Sequence, residues 1–531
     1  MSGEIKKKLY KILPYLILVL SVFMAYINVY NNAFLWDDEF LIVNNQFIRS
    51  FKHIPEIFTL PSGAGANRLD NFYRPMQILS YLIIYKAFGL NKFAFHFFNV
   101  FLHALNAILI YLILRKVFNQ RIAFFTSLLW GVHPVNTEAV TYMSGTADPL
   151  SLFFILLSFF TYLKFKELTG GNKGKYLVLS LSFFVLALLS KESIIIFPAL
   201  LLLYEIYQAL KLNTSKVKAF VNTLLWFSVS IIYFIMRTTI LNFGNTLNLY
   251  KTQNLYTQHL SFRIYTFLAT LPHYLSFIFY PVNLHMERSF PVFVSLLSKE
   301  VFLPFIILIL IFAYLFYKLS SKDYKNYTVY LIIAFGILWF FVSMFPFSGI
   351  IPVNAIILEH WLYLPSIGIF LLISLLLDFL FNSFNKFLVS SLVFISAVIL
   401  ISLTLTQNLV WRDPITFYNH ILKYEEGTAR VHNNLAMAYE EQGNLELAEK
   451  HYLKAISIND AYAQTRYNLA TLYLRENRIK EAIENLNKSI EINPTFIYSY
   501  QLLSKIYGAL GYESLSKEYL ERAQKLNFYY G

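Results

Sequence analysis

Residues 433–460 read NNLAMAYEEQGNLELAEKHYLKAISIND, and this pattern returns at 467–494 and again at 501–527. Three tyrosines mark equivalent positions at a constant spacing of 34 residues: Tyr439, Tyr473 and Tyr507. Three asparagines repeat with the same spacing: Asn459, Asn493 and Asn527. A period of this length, with small residues where helices cross, predicts antiparallel helix pairs stacked into an α-solenoid.

The 34-residue period is the signature of the tetratricopeptide repeat. The preceding stretch DPITFYNHILKYEEGTARVH, residues 413–432, predicts a further, degenerate helix pair. We therefore expect residues 411–531 to form a tetratricopeptide-repeat domain of about three repeats plus this leading pair. Stacked repeats present a concave surface that binds extended peptide or another protein, so a protein partner is expected here.

Upstream of the repeats the chain is strongly apolar. The whole chain is 57% hydrophobic and 14% charged, with a mean hydropathy of +0.51, whereas a soluble chain carries about a quarter charged residues. We therefore expect residues 1–410 to form an all-α integral membrane domain embedded in the lipid bilayer. The chain contains no cysteine, which excludes disulfides, thiolate metal sites and a cysteine nucleophile.

The net charge of +13 does not indicate a nucleic-acid partner. Many lysines and arginines lie in short loops between apolar stretches, where the positive-inside rule places them. No basic stripe interleaved with base-stacking aromatic residues stands apart from those loops. Binding of nucleic acid is therefore not expected.

Hydropathy predicts about eleven membrane spans. The N-terminal apolar run is not followed by an A-x-A-like cleavage site, so we interpret it as an uncleaved first span. Four lysines before it or at its start would hold the N-terminus in the cytoplasm: Lys6, Lys7, Lys8 and Lys11. Further spans are expected near 96–117, 122–141, 148–165, 176–190, 193–210, 218–239, 302–318, 327–346, 361–380 and 387–409.

The parity of this map places the most basic loops in the cytoplasm: Arg115, Lys116, Arg121, Lys164, Lys166, Lys173, Lys175, Lys211, Lys216, Lys218, Lys318, Lys322, Lys325 and Lys386. An odd number of spans then puts the repeats on the extracytoplasmic face, together with the acids of FLWDDEFLIVNN, residues 34–45. The hydrophobic stretches 74–90 and 262–284 do not fit this map. We expect them as helices in the outer interface, with a miscounted span as the alternative.

The same parity collects ionisable residues on the outer face: Asp37, Asp38, Glu39, Arg74, His96, His103, His133, Glu138, Asp148, Lys191, Glu192, Arg237, His285, Glu287, Arg288, Glu359 and His360. Ionisable groups at the ends of spans are costly and suggest function. Cations would hold a phosphate, and a carboxylate would accept a proton from an attacking hydroxyl. Such a set suits a reaction on an anionic lipid headgroup.

These residues also have purely structural interpretations. Three acids after a span fit a solvated loop equally well, and Arg74 could anchor a helix at the interface. Histidines in or beside spans more often form interhelical hydrogen bonds or cap helices than bind metal: His96, His103 and His133. The charges of Lys191 and Glu192 interrupt the apolar stretch LLSKESIII and must pair or face a polar cavity, which favours function there.

Five motifs follow one another before the repeats: WDD, YRPMQILSYLIIYKAFG…FHFFNVFLHALNA, WGVHPVNTEAVTYMSGTADPLS, LLSKES and EHWLYLPSIG. This ordered set resembles the transmembrane-and-tetratricopeptide-repeat protein O-mannosyltransferases and their prokaryotic homologues. The resemblance covers most of the chain, and the order of the motifs is more specific than any one of them. It implies a GT-C glycosyltransferase, a polytopic enzyme that uses a polyprenyl-phosphate-linked sugar on the outer or lumenal face.

The resemblance implies roles for the matching positions. Asp37 would be the catalytic carboxylate, with Asp38 as its partner or a metal contact. Arg74, Lys191 and His360 would bind the phosphate of the donor. Together with the outer-face residues above, this leaves a further group of candidates for the active site: His96, Asn99, His103, His133, Glu138, Asp148, Glu192, Arg237 and Glu359.

Two positions depart from the family pattern. The family usually has arginine where this chain has His360, so a fixed cation becomes a titratable one. It often has GRAD where this chain reads GTAD, which removes an arginine at Thr146. Both departures concern contacts to phosphate more than the fold, and Arg74 and Lys191 would then carry more of the phosphate charge.

We therefore expect an inverting membrane glycosyltransferase that moves a mannose-like hexose from a polyprenyl-phosphate donor to a hydroxyl, on protein Ser or Thr held by the repeats. One alternative is transfer to a cell-envelope glycan or lipid, and another is a non-enzymatic membrane scaffold. The small molecule expected is the lipid-linked sugar donor, a polyprenyl-phosphate hexose; the motifs require no cofactor, although the acids could hold a divalent metal. High use of Lys, Asn, Ile, Tyr and Phe fits an AT-rich prokaryotic genome. The expected location is therefore a prokaryotic plasma membrane, with the active site and repeats extracytoplasmic.

Overall fold

The structure is a computed structural model of the 531-residue chain. It describes residues 3–68, 70–241, 255–321, 326–350 and 355–530, with the side chains of residues 3–10 and 527–530 left out. Over these residues the chain is helical without any β-strand, which confirms the all-α prediction. It divides into two compact units, Met1–Arg412 and Asp413–Gly531.

The first unit contains the apolar helices. In chain order they are α1 (Gly3–Ala25), α2 (Ile54–Thr59), α3 (Pro75–Phe88), α4 (Lys92–Val117), α5 (Gln120–Val132), α6 (Thr137–Val140), α7 (Ala147–Glu167), α8 (Lys173–Leu188), α9 (Phe197–Lys211), α10 (Lys216–Thr239), α11 (Leu255–Gln258), α12 (Leu260–Phe279), α13 (Lys299–Ser320), α14 (Tyr327–Met344), α15 (Ser366–Ser383) and α16 (Lys386–Val410). Short single-turn segments join several of them near the site.

Eight helical stretches within the described residues are long and apolar enough to cross a membrane: Lys92–Val117, Met143–Glu167, Glu192–Lys211, Lys216–Thr239, Lys299–Ser320, Tyr327–Phe347, Ser366–Ser383 and Lys386–Val410. Each coincides with a predicted span. The chain is therefore a multi-pass membrane protein. The predicted loop lysines Lys322 and Lys325 lie outside the described residues, and so do the side chains of Lys6, Lys7 and Lys8.

The three remaining predicted spans coincide with shorter apolar helices. In α1 the apolar part is Lys11–Ala25, and α8 has 16 residues. The helix expected over 122–141 ends at Val132, because His133 precedes a proline and adopts an extended conformation with ψ 133°. The interfacial stretches 74–90 and 262–284 form α3 and α12, and neither belongs to the eight long apolar stretches.

Two close contacts hold the membrane unit together. Helices α14 and α15 touch through their backbones, since a Cβ added to Gly368 would lie 2.4 Å from the carbonyl oxygen of Gly336. Beyond α1, Asn28 donates to the carbonyl of Leu405 at 2.9 Å. Asn408 of α16 donates to the carbonyl of Ala25 at 2.9 Å. The first and last helices of the unit are thus joined by buried amides.

The second unit contains one leading helix, α17 (Pro414–Leu422), and three helix pairs: α18 (Ala429–Glu441) with α19 (Leu445–Ile458), α20 (Ala463–Arg475) with α21 (Ile479–Ile492), and α22 (Ile497–Ala509) with α23 (Glu513–Tyr530). The degenerate helix pair predicted for residues 413–432 is wrong, because only α17 lies wholly in that stretch and α18 is the first helix of the first repeat. The turns within the three pairs each contain one residue of positive φ, again 34 positions apart: Gly443 (79°), Asn477 (62°) and Gly511 (81°). Glycine and asparagine adopt this left-handed conformation at the lowest cost. The predicted repeats and their period are confirmed.

Candidate active site

The acidic loop after α1 separates its three acids into different environments. Asp38 is 1% exposed. One carboxylate oxygen accepts hydrogen bonds from the backbone N–H of Ser144 at 2.7 Å and from its hydroxyl at 2.5 Å, and the other accepts the N–H of Leu35 at 2.8 Å. Burial raises the pKa of Asp38 to about 7, although these hydrogen bonds oppose the shift. Asp38 therefore ties the loop to the segment before α7.

Asp37 lies at the surface of the same loop and is half-buried. Its backbone N–H donates to the hydroxyl of Tyr142 at 2.8 Å. The preceding residue, Trp36, has a φ of 50°, which is uncommon for a bulky side chain. Glu39 is exposed and accepts a hydrogen bond from the Asn44 amide at 2.5 Å. The turn at Trp36 thus orients Asp37 differently from the buried Asp38, and a catalytic role for Asp37 stays a prediction.

The predicted phosphate-binding cations each contact a carboxylate. Arg74, at the start of α3, donates from Nε and Nη2 to the two oxygens of Glu192 at 3.0 and 2.7 Å. Lys191 Nζ lies 2.5 Å from Oδ1 of Asp148 in the first turn of α7, and both side chains are mostly buried. Burial alone would lower the pKa of Arg74, but Glu192 outweighs it and the pKa is raised.

His360 forms the third pair, with Glu138 of α6. The His360 backbone N–H donates to one Glu138 oxygen at 2.9 Å, and His360 Nδ1 lies 2.7 Å from the other. Next to it, Glu359 accepts the N–H of His285 at 2.7 Å and pairs with Arg288. Burial raises the pKa of Glu359 to about 8, with repulsion from Glu138 adding to it and Arg288 opposing it.

Two of these three pairs each contribute one residue to the lining of one small cavity, which we call the polar cavity after its ionisable and hydroxyl groups. The ionisable lining residues are Asp148 and His360, and three serines add hydroxyl groups: Ser151, Ser193 and Ser343. Aromatic side chains also line it, including Trp361, whose ring stacks on Phe347 at a centroid distance of 4.6 Å. Hydroxyls, ionisable groups and an aromatic wall are the kinds of group that contact a polar ligand.

The predicted histidines of the helices are engaged with backbone and side-chain groups. His103 contacts the hydroxyl of Tyr363 at 2.7 Å through Nδ1 and the carbonyl of Gly131 at 2.9 Å through Nε2. His133 Nε2 lies 2.9 Å from the Ile278 carbonyl. His96 is buried, with Nε2 3.4 Å from the Asn32 carbonyl. These contacts are those of interhelical hydrogen bonding.

Arg237 lies near the first pair but makes its own contacts. It donates to the carbonyl of Asn71 at 2.9 Å and to the hydroxyl of Tyr233 at 3.2 Å. Asn99 donates to the carbonyl of Tyr142 at 3.2 Å, and its oxygen accepts from Thr146 at 2.6 Å. Thr146 therefore fills the position of the family's usual arginine with a buried hydrogen bond. The described residues include no group of three or more His, Cys, Asp or Glu side chains arranged to hold a metal ion.

The sequence did not single out two residues that build the site: Ser144 binds Asp38, and Tyr363 lines the cavity. The motif EHWLYLPS contains Tyr363. Arg288 was among the predicted outer-face charges, but its pairing with Glu359 was not predicted. A buried acid that needs a cation was the available signal for Arg288.

Models of two known families match different stretches of the chain. The family model described as dolichyl-phosphate-mannose-protein mannosyltransferase matches residues 75–235. Two models described as tetratricopeptide repeat match residues 427–495 and 497–530.

Two curated relatives match over most of this chain. Protein O-mannosyl-transferase TMTC3 of Mus musculus is 25% identical over 480 residues, which cover 83% of this chain and 50% of that protein. Protein O-mannosyl-transferase F38B6.6 of Caenorhabditis elegans is 25% identical over 462 residues, which cover 85% of this chain and 63% of that protein. The match thus spans only about half of the first relative's length. A crystal structure of ArnT from Cupriavidus metallidurans bound to undecaprenyl phosphate matches with a TM-score of 0.42 and 15% identity, over 92% of this chain and 80% of that chain.

Proposed function

We propose that this chain is a glycosyltransferase of the kind that the matching models and relatives describe, a membrane protein O-mannosyl-transferase with tetratricopeptide repeats. It would move a hexose from a polyprenyl-phosphate donor to a hydroxyl acceptor. One observation carries this proposal. The segment that matches the mannosyltransferase family, residues 75–235, contains the carboxylates and the lysine of the three ion pairs: Glu138, Asp148, Lys191 and Glu192.

The donor would bind with its sugar in the polar cavity and its phosphate against the cations. Ser151, Ser193 and Ser343 supply hydroxyls for a sugar, and the stacked ring of Trp361 supplies an apolar face. Lys191 and His360 lie at or next to this cavity, and Arg74 is paired to the residue that follows Lys191. Preorganised cations stabilise the charge that develops on a leaving phosphate.

Asp37 would accept the proton of the acceptor hydroxyl as its oxygen attacks the anomeric carbon opposite the phosphate, with inversion. The carboxylate of Asp38 is already occupied by Ser144 and Leu35, which supports a positioning role for it in fixing the loop that presents Asp37. A divalent cation held by the acids of this loop, with Asp38 as a contact, would be an additional partner for the donor phosphate.

The acceptor would be a protein segment held by the repeats. Arg412, the last residue of the membrane unit, accepts a hydrogen bond through its carbonyl from the N–H of Ala33 at 2.8 Å, next to the acidic loop. This hydrogen bond fixes the last residue of the membrane unit against the segment that leads into the acidic loop. The parity of the predicted spans supports our proposal that the repeats and the catalytic loop belong to the same, extracytoplasmic face of a plasma membrane.

The test is transfer by the purified full-length protein from a polyprenyl-phosphate mannose to Ser or Thr of a repeat-bound peptide. We expect Asp37→Asn to lower the rate by at least about 10³-fold, as general-base loss combined with lost positioning does. The matched control is Glu39→Gln, which changes the exposed acid two residues away and should keep activity. Unchanged transfer by Asp37→Asn would refute the role of this residue. Sugar appearing only on glycan or lipid would replace the acceptor, and no transfer at all would favour a scaffold.

A further inference from the structure

Glu138 holds His360 by two contacts that fix the imidazole ring. One carboxylate oxygen accepts the backbone N–H of His360 and the other pairs with Nδ1. Glu138 is 2% exposed. Burial favours its neutral form, but the charge of protonated His360, the two hydrogen bonds from His360 and the charge of Arg288 outweigh burial and lower the pKa of Glu138. The two hydrogen bonds and Arg288 also favour the carboxylate when the ring is neutral. An ionised carboxylate only accepts hydrogen bonds, so His360 Nδ1 must carry the proton.

This constraint decides what the other ring nitrogen can do. A neutral imidazole has a single N–H, and here Nδ1 keeps it for Glu138. His360 lines the polar cavity, and its Nε2 forms no hydrogen bond with residues that the structure describes. In the neutral ring Nε2 therefore presents a lone pair, which repels an anionic oxygen. Only the imidazolium presents an N–H at Nε2.

We infer that His360 contacts the phosphate of the lipid-linked sugar only as an imidazolium, so that binding of the donor is gated by protonation of this ring. The inference rests on the proposed function, and it makes Glu138 a positioning residue that selects the tautomer. Where the family usually has a permanent cation, this chain would bind its donor more weakly as the pH rises.

Other titratable groups surround the His360 ring, and their effects on donor binding must be distinguished from the effect of the ring. Glu138 faces it from α6, and Glu359 precedes it in the chain. Arg288 pairs with Glu359, and Asp148 lines the same cavity while paired with Lys191. Glu359 is the one acid here whose pKa is raised, to about 8. Glu359 therefore titrates within the pH range of the experiment, so a Glu359 variant belongs in the test.

The experiment measures the Kd of a short-chain polyprenyl-phosphate mannose for the full-length protein in detergent between pH 5.5 and 8.5. This diester keeps one negative charge throughout, so any pH dependence comes from the protein. We expect the Kd of the wild type to rise with pH, by up to about tenfold per pH unit above the midpoint of the pH-dependent change in Kd. The total rise should reach about 10- to 100-fold, the worth of one hydrogen bond to a charged group.

Two substitutions should remove the pH dependence of donor binding, each in a different way. His360→Arg supplies a permanent cation and should flatten the profile. Glu138→Gln should flatten it too, because the amide oxygen can accept the backbone N–H while the amide NH₂ donates to Nδ1, which moves the ring proton to Nε2. Ser193→Ala, an uncharged change in the same cavity, should weaken binding equally at every pH. Glu359→Gln should keep the slope.

The outcomes separate this inference from the proposed function. The inference would be overturned if Kd depended on pH as steeply in His360→Arg and Glu138→Gln as in the wild type. It would also be overturned if this dependence flattened only in Glu359→Gln. Neither result would contradict the proposed transferase activity. Failure of every variant and the wild type to bind the diester at any pH would overturn the proposed donor and the inference with it.

Discussion

Removing the carboxylate of Asp38 should destabilise the membrane unit more in mild acid than above neutral pH. Asp38 is 1% exposed and accepts three hydrogen bonds, two from Ser144 and one from Leu35. In Asp38→Ala two buried backbone N–H groups lose their acceptor, which costs about 1–3 kcal/mol each. Part of this is offset at high pH, because the variant no longer buries a charge.

The pH dependence follows from the raised pKa of Asp38. Burial brings it to about 7 in the folded protein, whereas an unfolded aspartate titrates near 3.9. The folded state therefore binds this proton more tightly than the unfolded state does. Protonation of Asp38 contributes its full stabilisation below about pH 4, and this stabilisation is lost as the pH rises through about 7. Between pH 8 and pH 5 the wild type gains about 2–3 kcal/mol that Asp38→Ala cannot gain.

The assay is equilibrium unfolding of both proteins in mixed micelles at pH 5 and pH 8. We expect the free-energy cost of Asp38→Ala to be greater at pH 5 by the 2–3 kcal/mol derived above. Glu39→Ala, in which an exposed neighbouring acid is removed, is the control and should show a similar small effect at both pH values. An equal or greater cost of Asp38→Ala at pH 8 would refute the assignment of a raised pKa to this carboxylate.

Two further predictions concern packing and ion pairing. Arg74→Ala and Glu192→Ala should each lower the free energy of unfolding by about 2–4 kcal/mol. This value is above that of an exposed ion pair, because the two side chains are only 17% and 29% exposed. In a double-mutant cycle the double variant should lose less than the sum of the two single losses, and strict additivity would contradict a direct pair. Gly368→Ala should cost about 1–3 kcal/mol by forcing α14 and α15 apart, whereas Gly174→Ala, with open space around its Cβ position, should melt like the wild type.

The parts of the fold that repeat or that depend on local hydropathy could be predicted from the sequence. The 34-residue period located the repeats, because the turn at Gly443, Asn477 and Gly511 recurs with the same backbone conformation. Long apolar stretches located the eight helices of membrane length. The end of α5 was missed although its cause is local: Pro134 excludes the helical conformation at His133.

The pairing of charges could not be predicted, because it joins residues far apart in the chain. Glu192 and Arg74 are 118 positions apart, and Glu138 and His360 are 222. The sequence offered Arg74, Lys191 and His360 as cations for a phosphate, but it did not indicate that each one already contacts a carboxylate. Likewise, Asp37 and Asp38 are equivalent as letters, and only the turn at Trp36 distinguishes the buried acid from the half-buried one.

The amides that join α1 to α16 constrain how this protein is made. Asn28 and Asn32 need the carbonyls of Leu405 and Asn408, and 377 and 376 positions separate the partners. A ribosome therefore completes nearly the whole membrane unit while these amides lack their final acceptors. Unsatisfied amides in or near hydrocarbon are costly. Because the acceptors lie in α16, these amides find their final partners only after the last helix of the membrane unit has been made, just before the repeats.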